Sequence, residues 1–225
     1  MEYGGREVAF GAASIATMDH SPPSRWRRHA RSTVYENPWL TVWHDEVTRP
    51  DGEPGIYGVI HYANLAVGVV AIDAEDRVAL VGQHRYTLDA YSWEIPEGGV
   101  PPDEDPQTGA ARELREETGL VAGEWREISR LHLSNSVSDE LAVHFLATDL
   151  TPGPPSPDGT EDLAVRWVPF DEALAMALDG RITDAMSVAA LLQVGMTRLR
   201  AGSNGSRTTI NATRRAPAQG RKRGS

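Results

Sequence analysis

The chain has 225 residues, 40% of them hydrophobic, and a formal net charge of −10. This size fits one large domain with loose ends, and the acidic balance argues against a nucleic-acid-binding body. The lack of cysteine excludes disulfides and thiolate metal sites. The sequence has neither a run of about 18 apolar residues that could span a membrane nor the apolar stretch of a secretory signal. We therefore expect a cytoplasmic protein with no membrane partner.

The N-terminal quarter predicts an arm followed by strands. Residues 1–30 show no hydrophobic periodicity, and we expect them to form a flexible arm. Residues 31–62 alternate apolar and polar side chains around a turn at 36–38 and a Pro/Gly-rich loop at 49–55. This pattern predicts an N-terminal antiparallel β extension.

Two further strands are predicted before the middle of the chain. Residues 64–73 form a nearly continuous apolar run, which is typical of a strand covered on both faces. Residues 77–86 form the next predicted strand, and Arg85 lies at its end.

The stretch from Gly98 to Leu120 is the most informative part of the sequence. Asp105 is a good helix cap and Pro106 suits the first helical position, while Gly119 is the usual residue just past a helix end. A helix from Pro106 to the residue before Gly119 is therefore predicted.

Three glutamates of this helix share one face, because Glu113, Glu116 and Glu117 are three and four residues apart. Such a cluster repels itself unless it is neutralised. Arg112 and Arg115 could neutralise it on a solvated face, which is the commoner arrangement for so short a segment. A hard divalent cation could also do so, since Mg²⁺ and Mn²⁺ prefer carboxylate oxygens.

The wider spacing favours the cation. It reads Gly98, five residues, Glu104, seven residues, Arg112-Glu113-Leu114, one residue, Glu116-Glu117, one residue, Gly119-Leu120. This is the complete Nudix box, and residues 33–200 resemble Nudix hydrolases. The resemblance implies an α/β/α sandwich around a mixed central sheet, and an enzyme that uses Mg²⁺ or Mn²⁺ to cleave nucleoside diphosphates linked to another moiety.

The resemblance also assigns roles within the box. Glu113, Glu116 and Glu117 would be metal ligands, together with the backbone carbonyl of Glu97. Arg112 would orient these carboxylates through ion pairs. Structural roles would fall to three further box residues, of which Glu104 would hold the loop to the helix: Gly98, Glu104 and Gly119.

The approach to the box resembles the ADP-ribose and nucleoside diphosphate sugar branch of the family. In that branch Arg85 would bind a phosphate, for which a guanidinium is well shaped, and Glu94 would assist the metal or the water. An aromatic residue of the N-terminal sheet stacks on the substrate's base in this branch, and Tyr57 or Trp43 would do so here. Ordinary cross-strand packing is the alternative for both residues.

The C-terminal half completes a Nudix domain over residues 63–201. Strands are predicted at 124–134, 141–150 and 164–170, and helices at 170–180 and 182–202. Thr183 would cap the second helix, whose buried stripe would be Ala185, Val188, Ala189, Leu192 and Met196. Residues 202–225 are polar and basic and are expected to form a disordered tail.

Two loops bear on chemistry. Glu161, on the Pro/Gly-rich loop 151–162, would deprotonate or orient the attacking water by resemblance; otherwise a box glutamate would. Ser134-Asn135-Ser136 stands where the ADP-ribose branch has a Ser-Pro-Gly pattern, which leaves other nucleoside diphosphate sugars open as substrates.

The resulting prediction is a homodimeric enzyme that hydrolyses the pyrophosphate of ADP-ribose or a related nucleoside diphosphate sugar, with Mg²⁺, to a nucleoside monophosphate and a sugar phosphate. One alternative is a hydrolase of oxidised nucleotides or dinucleoside polyphosphates. Another is a non-catalytic Nudix module that binds a nucleotide and regulates a partner.

Overall fold

The computed structural model describes residues 23–153 and 163–212, with side chains as far as residue 201. Ten strands and three helices lie in these ranges, and none of the helices is both long and apolar enough to cross a bilayer. In chain order they are β1 (Arg27–Glu36), β2 (Leu40–Thr48), β3 (Pro54–Tyr62), β4 (Leu65–Ala71), β5 (Arg77–Arg85), β6 (Ala90–Glu94), β7 (Glu97–Val100), α1 (Pro106–Thr118), β8 (Leu120–His132), β9 (Leu141–Pro152), β10 (Ala164–Pro169), α2 (Phe170–Asp179) and α3 (Ala185–Ala212).

The strands form three sheets. The N-terminal sheet has the order β1-β2-β3 and is antiparallel throughout. A second antiparallel sheet has the order β10-β5-β6. The third, in the order β7-β4-β9-β8, is mixed, because β4 and β9 run parallel while the outer pairs are antiparallel. The predicted fold, a mixed central sheet with an antiparallel N-terminal extension, is confirmed.

Strand β4 carries the centre of the sandwich. Val67 and Val69 pack in one core with Leu114 of α1, whereas Val70 lies in a second core with Leu191 of α3. The continuous apolar run therefore forms a strand that has a helix packed on each of its faces, as predicted.

The N-terminal sheet begins at Arg27, inside the segment predicted to be a flexible arm, and every residue of β1 is exposed. The sheet is tied to the body by the Tyr57 hydroxyl, which donates to the Ser136 carbonyl at 2.6 Å. Large apolar side chains on this part of the molecule are more than half exposed: Val34, Tyr35, Trp39 and Ile56.

Helix α3 differs from its prediction at both ends. It starts at Ala185, and its cap is not Thr183 but Asp184, whose carboxylate accepts from the Ser187 amide at 2.7 Å. It continues to Ala212, so residues 202–212, predicted as a disordered tail, are helical. Small residues such as Gly202 weaken a helix without necessarily ending it.

The predicted buried stripe of α3 is wrong at its two ends, since Ala185 is exposed and Met196 is 50% exposed. Val188 does pack against the core, and Ala189 and Leu192 are half-buried. The most buried residues of the helix include Met186, Ser187, Ala190, Leu191 and Val194. Apolar residues lie on most faces of this helix, so their spacing alone does not show which face is buried. The hydrogen bonds of Ser187 in the first turn fix which face packs against the sheet.

Candidate active site

Helix α1 begins and ends where the local signals place it. The Asp105 carboxylate accepts from the amides of Gln107 and Thr108, both at 3.1 Å, and Pro106 is the first helical residue. Gly119 has the left-handed conformation, φ 69°, that ends the helix. The box carboxylates are therefore mounted on a helix with two firm ends.

Arg112 is the centre of the box network. Its Nη1 donates to Glu113 at 2.7 Å and to Glu116 at 3.0 Å. Its Nη2 donates to the Gly99 carbonyl at 3.0 Å and to Glu104 at 3.2 Å. Burial alone would lower the pKa of Arg112, but hydrogen bonds to Glu104, Glu113 and Glu116 outweigh it and raise that pKa. One guanidinium thus joins the loop, strand β7 and the helix.

Strand β7 lies directly against the carboxylates. A Cβ added at Gly98 would overlap the carboxylate of Glu113, so this position needs glycine. The Glu97 amide donates to Glu117 at 3.0 Å, which brings the Glu97 backbone to the last turn of α1.

This donor set fits a hard divalent cation. Three carboxylates, those of Glu104, Glu113 and Glu116, pair with the single guanidinium of Arg112, and the carboxylate of Glu117 lies on the same helix against the Glu97 amide, so negative charge is in excess. Carboxylate and carbonyl oxygens are the ligands that Mg²⁺ and Mn²⁺ prefer. The structure brings together all the residues to which the sequence assigned the metal.

A second cluster of acids lies beside the first and is built on Arg85. Its Nε donates to both carboxylate oxygens of Glu94, at 3.0 and 3.1 Å, and its Nη2 contacts Glu94 and donates to Glu97 at 3.0 Å. Burial would raise the pKa of Glu94, but hydrogen bonds from Arg85 and Ser92 outweigh it and lower that pKa. Arg85 keeps 37% of its side chain exposed.

Asp184 belongs to this second cluster, and the sequence reasoning did not find it. One ligand atom from each of Glu94, Glu97 and Asp184 lies within 4.8 Å of the others. Burial and the charges of Asp184 and Glu94 hold the pKa of Glu97 well above its usual value. Asp184 does show a local signal, an acid before an apolar helical run, which marks it as a cap and not as a neighbour of Glu94.

A cavity of about 380 Å³ separates the N-terminal sheet from the box. His61 and Tyr62 line one side, and Glu104 and Pro106 line the other. Asp139 accepts from His61 Nδ1 at 2.6 Å and from the Tyr62 amide at 3.2 Å. The cavity meets the box at its loop, not at the glutamates of α1.

Comparison with known proteins identifies the family. The NUDIX domain model matches residues 63–190, and the model described as nucleoside diphosphate sugar hydrolase N-terminal domain matches residues 26–60. The chain belongs to the Nudix family. It is therefore a Nudix pyrophosphohydrolase.

Relatives of this Nudix hydrolase cover most of its length. An ADP-ribose pyrophosphatase of Mycobacterium tuberculosis is 33% identical over 165 residues, 72% of this chain and 79% of the relative. A CMP-5'-(N-acetyl-N-hydroxy-3-aminopropyl)phosphonate hydrolase of Streptomyces rubellomurinus is 31% identical over 175 residues, 76% and 84% of the two chains. The crystal structure of an ADP compounds hydrolase has the same fold, with a TM-score of 0.73 and 22% identity over 81% of this chain and 99% of that one.

The two candidate base-stacking residues of the Nudix hydrolase already have partners. Arg31 lies 3.8 Å from the ring centroid of Trp43, and His61 stacks on the same residue at 4.7 Å. Tyr57 contacts Trp26 edge to face at 5.2 Å. Both residues therefore take part in the packing of the N-terminal sheet. Glu161, the candidate base, lies outside the described residues.

Proposed function

We propose that this Nudix hydrolase cleaves the pyrophosphate bond of ADP-ribose or a related nucleoside diphosphate sugar, to give a nucleoside monophosphate and a sugar phosphate. The observation that carries the proposal is the Arg112 network, which gathers the carboxylates of Glu113 and Glu116 against β7. The matched N-terminal model and the name of the mycobacterial relative support the substrate class.

The residues proposed to hold Mg²⁺, or Mn²⁺ in its place, are Glu113, Glu116, Glu117 and the carbonyl of Glu97. A bound cation of this kind neutralises the pyrophosphate and lowers the pKa of a coordinated water. The protein itself positions the carboxylates that hold the cation. The planar guanidinium of Arg112 fixes two of them, those of Glu113 and Glu116.

Arg85 is proposed to bind a phosphate of the substrate. Its guanidinium is anchored by Glu94 and Glu97 while more than a third of the side chain faces solvent. An anchored guanidinium loses little freedom when it binds an anion, which is an advantage for catalysis. The base that activates the water is Glu161 or a box glutamate.

The N-terminal sheet is proposed to bind the nucleoside and to form the homodimer. His61 and Tyr62 at the end of β3 line the cavity that reaches the box loop, and Trp43 stacks on His61, which supports a substrate role for Trp43. Tyr57 of the same sheet is the other candidate for stacking on the base. The exposed apolar residues of this sheet provide a surface for a second copy of the chain. The cytoplasmic location stays a prediction.

A substrate panel with product chromatography tests this function. ADP-ribose, ADP-glucose, UDP-glucose, GDP-mannose, 8-oxo-dGTP and a dinucleoside polyphosphate are each incubated with the enzyme and Mg²⁺. We expect a nucleoside monophosphate and a sugar phosphate from at least one nucleoside diphosphate sugar. If products appear only from 8-oxo-dGTP or only from the dinucleoside polyphosphate, the enzyme is assigned to that substrate class instead. If no substrate yields a product, a non-catalytic nucleotide-binding module is favoured.

A further inference from the structure

The acids around Arg85 are packed more closely than Arg85 alone can explain. Glu94 and Glu97 are both nearly buried, and their carboxylates and that of Asp184 come within 4.8 Å of one another. Among the ion pairs of the described residues, Glu94 and Glu97 pair only with Arg85, and Asp184 takes part in none. An ionised cluster would therefore keep two uncompensated negative charges in a poorly solvated place, which is costly.

One oxygen of this cluster is buried without a partner among the described residues. Oε1 of Glu97 accepts from Arg85, but no hydrogen-bond donor in the described ranges 23–153 and 163–212 reaches Oε2. The Glu97 side chain is only 10% exposed, so bulk water does not satisfy it. A buried carboxylate oxygen without a partner costs free energy unless a proton or a cation sits against it.

Two hydrogen bonds of Ser187 hold the cluster in place. The Ser187 hydroxyl accepts from the Ile95 amide at 2.9 Å, and the Ser187 amide donates to Asp184. The start of α3 is thereby fastened to the segment between Glu94 and Glu97. These bonds fix the relative positions of the three acids, which is not expected for acids that merely share a solvated surface.

The cluster and the box lie on different sides of the sheet. Glu97 of β7 pairs with Gly68 of β4. A Cβ added at Gly68 would meet the side chains of Ile95, His144 and Met186, which lie on the face of the sheet that α3 covers. Paired residues of neighbouring strands point to the same face. The Glu97 carboxylate therefore faces α3, although its amide reaches Glu117 of α1.

We propose that the carboxylates of Glu94, Glu97 and Asp184 form a second divalent-cation site, separate from the box. Arg85 occupies Oε1 of Glu97, and the cation binds Oε2 together with one oxygen each from Glu94 and Asp184. Oxygens that share one Ca²⁺ ion lie at most about 5 Å apart, and those that share one Mg²⁺ ion at most about 4.2 Å. The three ligand atoms lie within 4.8 Å of one another, so they fit Ca²⁺ as they stand and need to close by only a few tenths of an ångström around Mg²⁺ or Mn²⁺. A divalent ion also balances the two excess charges of the cluster.

Counting bound Mn²⁺ in the full-length protein, by the loss of the electron paramagnetic resonance signal of free Mn²⁺, tests this site. The box is first weakened with Glu113→Gln and Glu116→Gln, two carboxylates that pair with Arg112. We expect this background to retain one Mn²⁺ per chain. Asp184→Asn added to it should weaken that binding at least tenfold. Asparagine still caps α3, so the helix start is preserved.

Two further variants complete the design. Glu97→Gln, which has nearly the same shape, should lower Mn²⁺ binding as Asp184→Asn does. Asp179→Asn removes an exposed carboxylate close in sequence and should leave the binding unchanged. The proposal is overturned if the box-weakened background binds no Mn²⁺, or if it binds equally well with and without Asp184→Asn and Glu97→Gln. No turnover is measured, so a failed substrate assay would not affect this result.

Discussion

The two acidic clusters of this enzyme are each organised by one arginine, but they differ in how they are built. The Arg112 cluster comes from one loop and one helix, and its glutamates are partly exposed. The Arg85 cluster joins β6, β7 and the start of α3, and its acids are largely buried. Local chain geometry fixes the first, whereas tertiary packing fixes the second. Substitutions in the first cluster should therefore affect mainly turnover, whereas those in the second should also lower folding stability.

The largest expected effect is on the box. Glu116→Gln combined with Glu117→Gln removes two carboxylates that face the proposed metal while the side-chain shape is retained. We expect kcat to fall by about a thousandfold, as measured by product chromatography with saturating Mg²⁺. Glu75→Gln, an exposed acid in the turn between β4 and β5, is the control. An unchanged kcat in the double variant would remove these residues from the metal site.

The buried His144 should make the free energy of unfolding depend on pH. It is fully buried, Ser129 is its hydrogen-bond partner at 2.9 Å, and burial lowers its pKa to about 4 against the opposing charge of Asp184. Since the unfolded histidine titrates near pH 6.5, protons favour the unfolded chain. Stability should fall as the pH drops from about 6.5 towards 4, by up to about 3 kcal/mol.

Urea unfolding at pH 6.5 and 4.5 measures this dependence. His144→Gln should reduce the difference between the two pH values, while the exposed His132→Gln should leave it intact. An equal pH dependence in wild type and His144→Gln would show that His144 is not its source.

Arg85→Met should lower stability, because it leaves two nearly buried carboxylates without their counter-charge. We expect a loss of about 2 kcal/mol, below the range for fully buried pairs because Arg85 is partly exposed. Arg77→Met, at the other end of β5, breaks a more exposed pair and should cost under about 1 kcal/mol. Urea unfolding compares the two. Equal losses would contradict the distinction between the clusters.

The smallest expected effect comes from Arg112→Lys, which keeps the charge but loses the planar group that contacts two glutamates at once. Turnover should fall by about tenfold with little change in unfolding free energy. Arg115→Lys on the same helix is the matched control and should behave like wild type. The idea fails if Arg112→Lys unfolds more readily and keeps its kcat.

The same contrast explains how much of the molecule the sequence could predict. The ends of α1 at Pro106 and Gly119 follow from capping signals that act within a few residues. The network of Arg112 with Glu113 and Glu116 follows from helical spacing and a complete motif. Both belong to one continuous stretch of chain, so no knowledge of the fold was needed.

The second cluster could not be predicted in this way. Asp184 is close to Glu94 only because α3 packs against the sheet, and the apolar residues of α3 did not fix its rotation. The early start of β1 was missed for a related reason, because strand pairing with β2 overrides a basic, exposed sequence.

The most direct test of the metal assignment at the box is anomalous diffraction from crystals grown with Mn²⁺. We expect a peak within about 2.2 Å of carboxylate oxygens from at least two of Glu113, Glu116 and Glu117. The metal assignment would be contradicted if these three glutamates were well ordered, contacted only arginines and showed no anomalous peak beside them.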